Sequence, residues 1–195
     1  MDPKADNKQT IMYQKGKTED IISSVISVFE ESKDQIQELS QSFKADTVRE
    51  TCNNIAEYVI NNFKYRVDPD GEQWIRTPAR LLKDREADCK SFSLFVCAAL
   101  SNLGIKNGFR FVSYTGDKQY THVYTVAIDE NGKKITVDTV ARIQKGVSVF
   151  DELKYKHKKD IMYIALLFKK GICYTIYRRI DCILKDFKLY PHSML

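Results

Sequence analysis

Cys89 stands where a polar stretch of the chain, residues 84–88, gives way to a strongly apolar segment. Asp88 is a good N-cap residue, so we expect Cys89 to be the first residue of a helix. Its sulfur would then lie near unpaired backbone N–H groups and the positive end of the helix dipole. Such a position favours the thiolate, the form of cysteine that attacks a carbonyl carbon. Cys89 is therefore the candidate nucleophile of an acyl-transfer reaction.

A cysteine nucleophile needs a histidine that takes or shares its proton, and a carboxylate or amide that orients the imidazole. The chain has three histidines, of which His157 lies in a lysine-rich stretch and His192 near the C-terminus. His122 opens a predicted strand and is the natural candidate base. Asp138 lies among apolar neighbours in the next predicted strand and is the candidate orienting group.

The turn between these two strands decides whether Asp138 can reach His122. A two-residue turn would place Asp138 opposite Thr125, on the face of the sheet away from His122. A three-residue loop over residues 130–132, with its glycine left-handed, places Asp138 opposite Tyr124 on the same face as His122. The two side chains are then diagonal neighbours within reach of each other. We predict this second register.

Helices are predicted before and around the candidate nucleophile. Apolar residues recur at helical spacing over residues 18–43 and indicate one long amphipathic helix. A capping-box sequence starts a second helix over residues 47–63, and a threonine–proline pair starts a short third one over residues 77–84. The helix over residues 89–104 is apolar on nearly all sides, which is typical of a core helix.

Three segments rich in β-branched and aromatic residues follow this core helix, at residues 109–115, 121–129 and 133–140. They predict an antiparallel sheet beside the helix and hence an α+β fold. We also expect a helical turn capped by Ser148 in residues 147–153 and a strand over residues 161–168. Beyond Gly171 the pattern fits a strand and a helix equally well.

Composition indicates one globular domain, since 43% of the 195 residues are hydrophobic and 29% are charged. The net charge of +5 comes from basic residues spread along the chain. The basic runs at residues 154–159 and 178–179 are typical of solvated faces, so we do not expect nucleic acid as a partner.

The five cysteines have no CxxC spacing, which argues against a zinc site or a disulfide framework and favours a reduced compartment. The N-terminus has no apolar signal core, and the longest apolar run, residues 161–168, is too short to span a bilayer. We therefore expect a soluble intracellular protein with no cofactor and no metal.

Together the candidate residues and their neighbours resemble the transglutaminase-like superfamily, whose fold is of the papain type. The matching motifs are Asp88-Cys89-Lys90, Thr121-His122-Val123-Tyr124 and Val137-Asp138-Thr139, in that order. The resemblance covers about residues 46–140. It implies a papain/transglutaminase-like α+β core, in which the catalytic cysteine begins a buried helix packed on an antiparallel sheet, with N-terminal helices before it.

Residues 73–80 and 109–114 also resemble small transglutaminase-like proteins encoded in bacteriophage and mobile-element genomes of Bacteroidetes-type bacteria. Many relatives have glycine in place of Ala87 and tryptophan in place of Tyr124. The domain organisation that we predict is a flexible arm (1–17) and a single domain (18–195), with an N-terminal helix (18–45), a core (46–140) and a C-terminal extension (141–195).

By this resemblance, Cys89 attacks a carboxamide or peptide carbonyl, His122 acts as general base and then acid, and Asp138 orients His122. The thioester product is then hydrolysed by water or converted to a new amide by a lysine amine. The backbone N–H of Cys89 would stabilise the oxyanion, with Gln73 or Trp74 as a second donor. The implied substrate is a protein or peptide amide, and the enzyme a cysteine peptidase, an amidase or a transglutaminase.

Two other interpretations stay open. The chain could be a catalytically silent scaffold or interaction protein, whose polar arm docks on an assembly partner, for instance in a phage virion. Cys89, His122 and Asp138 could in principle ligate zinc, although no local spacing supports a metal site. The expected location is the cytoplasm of a bacterial or phage-infected cell, or a virion.

Overall fold

A computed structural model describes residues 18–115 and 119–163, together with the backbone of two short strands at residues 11–12 and 177–178. The α-helices are α1 (Thr18–Ser32), α2 (Gln37–Gln41), α3 (Val48–Asn62), α4 (Pro78–Asp84), α5 (Cys89–Asn102) and α6 (Thr139–Lys145). The β-strands are β1 (Ile11–Met12), β2 (Lys64–Tyr65), β3 (Trp74–Ile75), β4 (Glu86–Ala87), β5 (Asn107–Ser113), β6 (His122–Ile128), β7 (Lys134–Val137), β8 (His157–Tyr163) and β9 (Tyr177–Arg178). The predicted α+β fold is confirmed.

Helix α5 is the centre of the core. Every residue from Lys90 to Leu100 is buried, because strand β6 covers one side of the helix and helices α1 to α4 cover others. A helix without a polar face needs such cover on several sides. The start of α5, and with it Cys89, is held by these contacts.

Five strands form one antiparallel sheet in the order β7-β6-β5-β8-β9. Val123 and Ala127 of β6 belong to the main core around α5, whereas Tyr124 and Val126 belong to a second apolar cluster. This alternation follows from the two-residue period of a strand. His122 therefore shares its face of the sheet with Tyr124.

The predicted register of β6 and β7 is confirmed. Thr125 pairs with Val137, and the pairing continues in step along both strands. Residues 130–132 form the loop, which the hydrogen bond from Asp129 N to Lys133 O closes at 2.9 Å. The glycine of the loop has a φ of 79°, the left-handed value that the three-residue loop requires.

The capped helix starts also follow prediction. Thr47 and Glu50 make both hydrogen bonds of a capping box at the start of α3. Thr77 accepts the Arg80 N–H at the start of α4, whose first residue is a proline. Local side-chain chemistry alone is enough to mark these boundaries.

The prediction of one continuous helix over residues 18–43 is wrong. Helix α1 ends at Ser32, a 3₁₀ turn covers Lys33–Ile36, and α2 follows. The Ser32 hydroxyl donates to the carbonyl oxygen of Val28 at 2.5 Å, and hydrogen bonds of this kind bend a helix. Asn102 Nδ2 donates to the Lys33 carbonyl at 2.9 Å, so tertiary contact with α5 stabilises the interruption.

The structure also differs from prediction after β7. Helix α6 replaces the expected end of the strand, because Asp138 caps it. The helical turn predicted in residues 147–153 is reduced to one hydrogen-bonded turn over residues 148–151, in which the Asp151 N–H donates to the Ser148 carbonyl oxygen at 3.0 Å. The Ser148 hydroxyl accepts the Phe150 N–H at 3.2 Å and so caps this turn. Strand β8 begins earlier than predicted. The rest of the predicted strand, and the region beyond Gly171 except β9, lie outside the described residues.

Residues 11–12 of the predicted arm pair within the chain, since Ile11 lies opposite Ile75 and Met12 opposite Trp74. The predicted domain boundaries stay predictions. Within the described ranges, no helix combines the length and the apolar character needed to cross a membrane.

We expect Gly108→Ala to destabilise the protein by about 2 kcal/mol, a typical cost of overpacking. A Cβ atom on Gly108 would lie 2.2 Å from the Ile161 carbonyl oxygen and 2.6 Å from the Met162 Cα atom of the neighbouring strand. Urea unfolding measures the change. Gly71→Ala is the control, because Gly71 has a φ of 81° with open space around it and should cost only about 1 kcal/mol of backbone strain. Equal losses would contradict the close approach of β5 and β8.

Candidate active site

Cys89 is the first residue of α5, as predicted. Asp88 has the extended backbone of an N-cap residue, with φ −95° and ψ −172°, and its Oδ1 accepts the Lys90 N–H at 3.0 Å. The Cys89 side chain is half-buried. The sulfur therefore lies at the positive end of the core helix.

His122 is the first residue of β6 and so lies at one end of this inner strand of the sheet. Its Nε2 lies 2.8 Å from Asp138 Oδ2, and its ring also makes a hydrogen bond with Cys89. Because Nε2 is engaged by the carboxylate, Nδ1 is the ring atom left for the sulfur. The structure thus brings together the three residues that the sequence singled out.

Asp138 is 1% exposed, and each of its carboxylate oxygens has a separate partner. Oδ1 accepts the Ala141 N–H at 3.0 Å and so caps α6. Oδ2 binds His122 and also accepts a long hydrogen bond of 3.5 Å from the Tyr155 hydroxyl. The helix cap fixes the orientation of the carboxylate that in turn orients the imidazole.

These contacts decide the charge of His122. Burial alone would lower its pKa, but the hydrogen bonds with Asp138 and Cys89 outweigh burial and raise the pKa from 6.5 to about 10. At neutral pH the side chain is therefore an imidazolium. Because its folded pKa exceeds the unfolded one, the stabilisation is complete below pH 6.5 and is lost as the pH rises through about 10.

Ser93 links Cys89 to strand β6. Its hydroxyl lies 2.7 Å from the Cys89 carbonyl oxygen and 2.9 Å from that of Val123, so one proton is shared between the two. Thr125 Oγ1 donates back to the Ser93 carbonyl at 3.1 Å. Ser93 was not predicted from the sequence, although its position one turn after Cys89 could have indicated it.

The contact of Tyr155 with the site was also not predicted from the sequence. Tyr155 lies in the lysine run at residues 154–159, where Lys154, Lys156 and Lys158 are exposed as predicted, whereas Tyr155 is half-buried. Its ring centroid lies 6.5 Å from that of His122. In the sequence, the alternation of Tyr155 with lysines in a strand-like segment was the one signal that its side chain faces the protein.

Lys90 and Ser91 follow Cys89 in the first turn of α5, and both are buried. Lys90 is 5% exposed and forms ion pairs with Asp68 and Asp88. Ser91 is fully buried, and its hydroxyl accepts the Arg76 backbone N–H at 2.9 Å. One partner of each residue is distant in sequence, since Asp68 lies 22 residues before Lys90 and Arg76 lies 15 residues before Ser91.

Gln73 and Trp74 are the predicted sources of a second oxyanion donor. Gln73 lies just before β3, and Trp74 is its first residue. The indole N–H of Trp74 donates to Glu72 Oε2 at 2.8 Å, and its backbone N–H donates to Asp68 Oδ2 at 2.7 Å. Gln73 is half-buried. Their role as oxyanion donors stays a prediction, and the Trp74 indole would have to leave Glu72 to fulfil it.

A cleft of about 100 Å³ opens beside His122. Aromatic, apolar and polar side chains line it, namely Tyr65, Tyr114, Thr121, His122, Val140, Ala141, Gln144 and Lys145. Helix α6, which Asp138 caps, thus forms one wall of the cleft.

Two other cysteines in the described ranges are buried and do not contact His122. Burial raises the pKa of Cys52 to about 12, and burial also raises the pKa of Cys97. Neither thiol is therefore a nucleophile at neutral pH. Cys173 and Cys182 lie outside the described residues. In the described part of the chain, no group of His, Cys, Asp and Glu residues is arranged to hold a metal ion.

We expect Asp138→Asn to lower the pKa of His122 from about 10 towards 6.5, because it removes the carboxylate that stabilises the imidazolium. An asparagine oxygen can still cap α6. NMR titration of the histidine ring signals, assigned with His122→Gln, measures the pKa. Asp151→Asn is the control, since Asp151 also accepts a backbone N–H, from Ser148, without contacting His122. An unchanged pKa in Asp138→Asn would contradict the geometry.

Comparison with known proteins agrees with this fold. The family model described as a transglutaminase-like domain matches residues 34–162. No curated protein matches the chain. Among solved structures, a candidate protease from Parabacteroides distasonis has a TM-score of 0.52 and 15% sequence identity, over 60% of this chain and 26% of that one.

Two further solved structures have lower TM-scores. A candidate cysteine protease from Cytophaga hutchinsonii has a TM-score of 0.42 and 18% identity, over 53% of this chain and 36% of that one. LapG from Legionella pneumophila has a TM-score of 0.41 and 16% identity, over 66% of this chain and 73% of that one.

The chain spans about a quarter of the length of the Parabacteroides protein, whose likeness shows the fold alone. The family match is stronger, because it spans more than half of the 195 residues and includes all three candidate residues. The protein therefore belongs to the transglutaminase-like domain family.

Proposed function

We propose that this protein catalyses thiol-dependent acyl transfer on a protein or peptide amide, as a cysteine peptidase. The observation that carries the proposal is the contact of 2.8 Å between His122 Nε2 and the buried Asp138 carboxylate. That contact holds the imidazole with its other nitrogen towards Cys89. The protein's family and its likeness to a candidate protease support the same reaction class.

In the proposed reaction, Cys89 Sγ attacks the carbonyl carbon of the substrate amide. His122 gives a proton to the leaving amine as the C–N bond breaks, and a thioester remains on Cys89. Water then attacks the thioester while His122 accepts its proton. The carboxylic acid leaves, and the Cys89 thiolate and the His122 imidazolium are restored. Asp138 orients the imidazole throughout.

The oxyanion of each step needs hydrogen-bond donors. The backbone N–H of Cys89, at the first position of α5, is one, because the first N–H groups of a helix have no partner within the helix. Gln73 and Trp74 are the proposed sources of a second donor. The cleft beside His122 would receive the part of the substrate next to the scissile bond.

Transamidation needs the same cysteine and differs only in the group that attacks the thioester, a lysine amine in place of water. We propose hydrolysis as the main outcome. The phage or virion origin and the cytoplasmic location stay predictions from the sequence.

We expect iodoacetamide at neutral pH to alkylate Cys89 of the native protein before Cys52 and Cys97. The imidazolium of His122 contacts the Cys89 sulfur, whereas burial keeps the other two thiols protonated. Peptide mass mapping measures the rate at each site. His122→Ala should slow Cys89 alkylation by about tenfold or more. Slow labelling at all these sites would favour the silent scaffold.

A second test identifies the reaction. The protein is incubated with a proteome-derived peptide mixture, and new N-termini and new glutamine–lysine cross-links are mapped by mass spectrometry. We expect new N-termini with the wild type and with Cys52→Ala, a matched change of a buried cysteine, and none with Cys89→Ala. Cross-links in place of new termini would show transamidation. Neither product would contradict the proposed function.

A further inference from the structure

A buried cluster of three charges lies at the start of α5. Lys90 Nζ contacts Asp88 Oδ2 and lies 3.1 Å from Asp68 Oδ2. The exposed fractions of the three side chains are 7% for Lys90, 7% for Asp88 and 6% for Asp68. One ammonium thus faces two carboxylates, which gives the cluster a formal net charge of −1 when both carboxylates are ionised. Burial raises the pKa of Asp88, Asp68 raises it further, and the Lys90 ammonium opposes both effects.

The cluster joins two segments that are distant in sequence. Asp68 lies in the loop between β2 and β3, and its Oδ2 also accepts the Trp74 N–H at 2.7 Å. Asp88 is the N-cap of α5, and its Oδ1 accepts the Lys90 N–H. The residue between Asp88 and Lys90 is Cys89, so the cluster surrounds the candidate nucleophile on both sides in sequence.

Stability alone does not explain such a cluster. Removing three charges from water is costly, and an apolar group of similar volume often packs there as well or better. The charges of the cluster also act on the sulfur. Burial lowers the pKa of Lys90, but Asp88 and Cys89 raise it more, and the net direction is upward. The ammonium therefore remains charged and interacts with Cys89 as well as with the carboxylates.

The titratable groups around Cys89 come from several elements. They are His122 on β6, Asp138 before α6, Tyr65 on β2, Asp68 in the β2–β3 loop, and Asp88 and Lys90 at the start of α5 itself. Three of them are carboxylates, and two are cations at neutral pH. Without Lys90, the imidazolium would be the one cation among these groups to offset three carboxylates and a thiolate.

We propose that Lys90 is a positioning residue that sets the charge balance at Cys89. Its ammonium offsets Asp68 and Asp88, so that the adjacent sulfur can carry negative charge beside His122. This inference rests on the proposed nucleophilic role of Cys89. A purely structural role, in which the cluster only ties the loop to the helix, predicts a different response to substitution.

Three variants separate the two roles by changing the net charge of the cluster. Lys90→Met changes it to −2, Asp68→Asn changes it to zero, and the double variant returns it to −1 without the ion pair. An asparagine oxygen can still accept the Trp74 N–H, and methionine nearly matches the length of lysine. The double variant also avoids two buried carboxylates that face each other with no cation, the arrangement that most threatens folding.

The measured quantity is the pH at which the rate of Cys89 alkylation by iodoacetamide is half-maximal. Mass mapping measures this rate at each pH. We expect the half-maximal pH to rise by about one pH unit in Lys90→Met, to fall by a similar amount in Asp68→Asn, and to return close to the wild-type value in the double variant. Near-UV circular dichroism confirms that each variant is folded. The controls are Lys158→Met, at a surface ion pair, and Glu38→Gln, at an exposed site, which should leave the value unchanged.

Shifts of both single variants in the same direction, or no shift in either, would overturn the charge-setting role. If Cys89 of the wild type is not alkylated preferentially, the proposed function fails and this inference fails with it. If Cys89 is alkylated preferentially but its pH profile is the same in the wild type and in the three charge variants, the inference alone fails.

Discussion

The buried carboxylate of Asp138 is the contact on which the rest of the site depends. One oxygen caps α6 and the other binds His122, so the wall of the cleft and the orientation of the base are set by the same side chain. A carboxylate with both oxygens occupied cannot rotate without breaking a hydrogen bond, and in a buried site each broken bond is costly. The geometry of the imidazole is therefore fixed in advance, as the proposed catalysis by a Cys-His pair requires.

Charge balance is the second constraint, because the site concentrates ionisable groups at a place largely shielded from water. Asp138, Asp88 and Asp68 bring three buried carboxylates close to one thiol. His122 and Lys90 supply the cations that keep this arrangement from repelling negative charge on the sulfur. Such clusters are more typical of functional sites than of structural cores, and here the groups come from loop, helix and sheet.

Local signals in the sequence were enough to predict the start of α5 and the register of β6 and β7, because an N-cap aspartate and a three-residue loop with a glycine act over a few residues. The dual role of Asp138 was not predicted, since a strand and a helix cap compete for the same residue. The burial of Lys90 depends on Asp68, twenty-two residues earlier. The contact of Tyr155 with Asp138 depends on the path of the chain between α6 and β8. Such distant partners leave no local pattern.

Covalent trapping is the sharpest test of whether Cys89 is a nucleophile activated by His122. A panel of peptide ketones and glutamine-like electrophiles would be incubated with the native protein, and the adducts located by mass mapping. We expect a single adduct on Cys89 that is lost in His122→Ala, with a preference among the probes that reports the acyl group of the substrate. Adducts spread over other cysteines, or none on Cys89 until the protein is denatured, would contradict a nucleophilic role for Cys89.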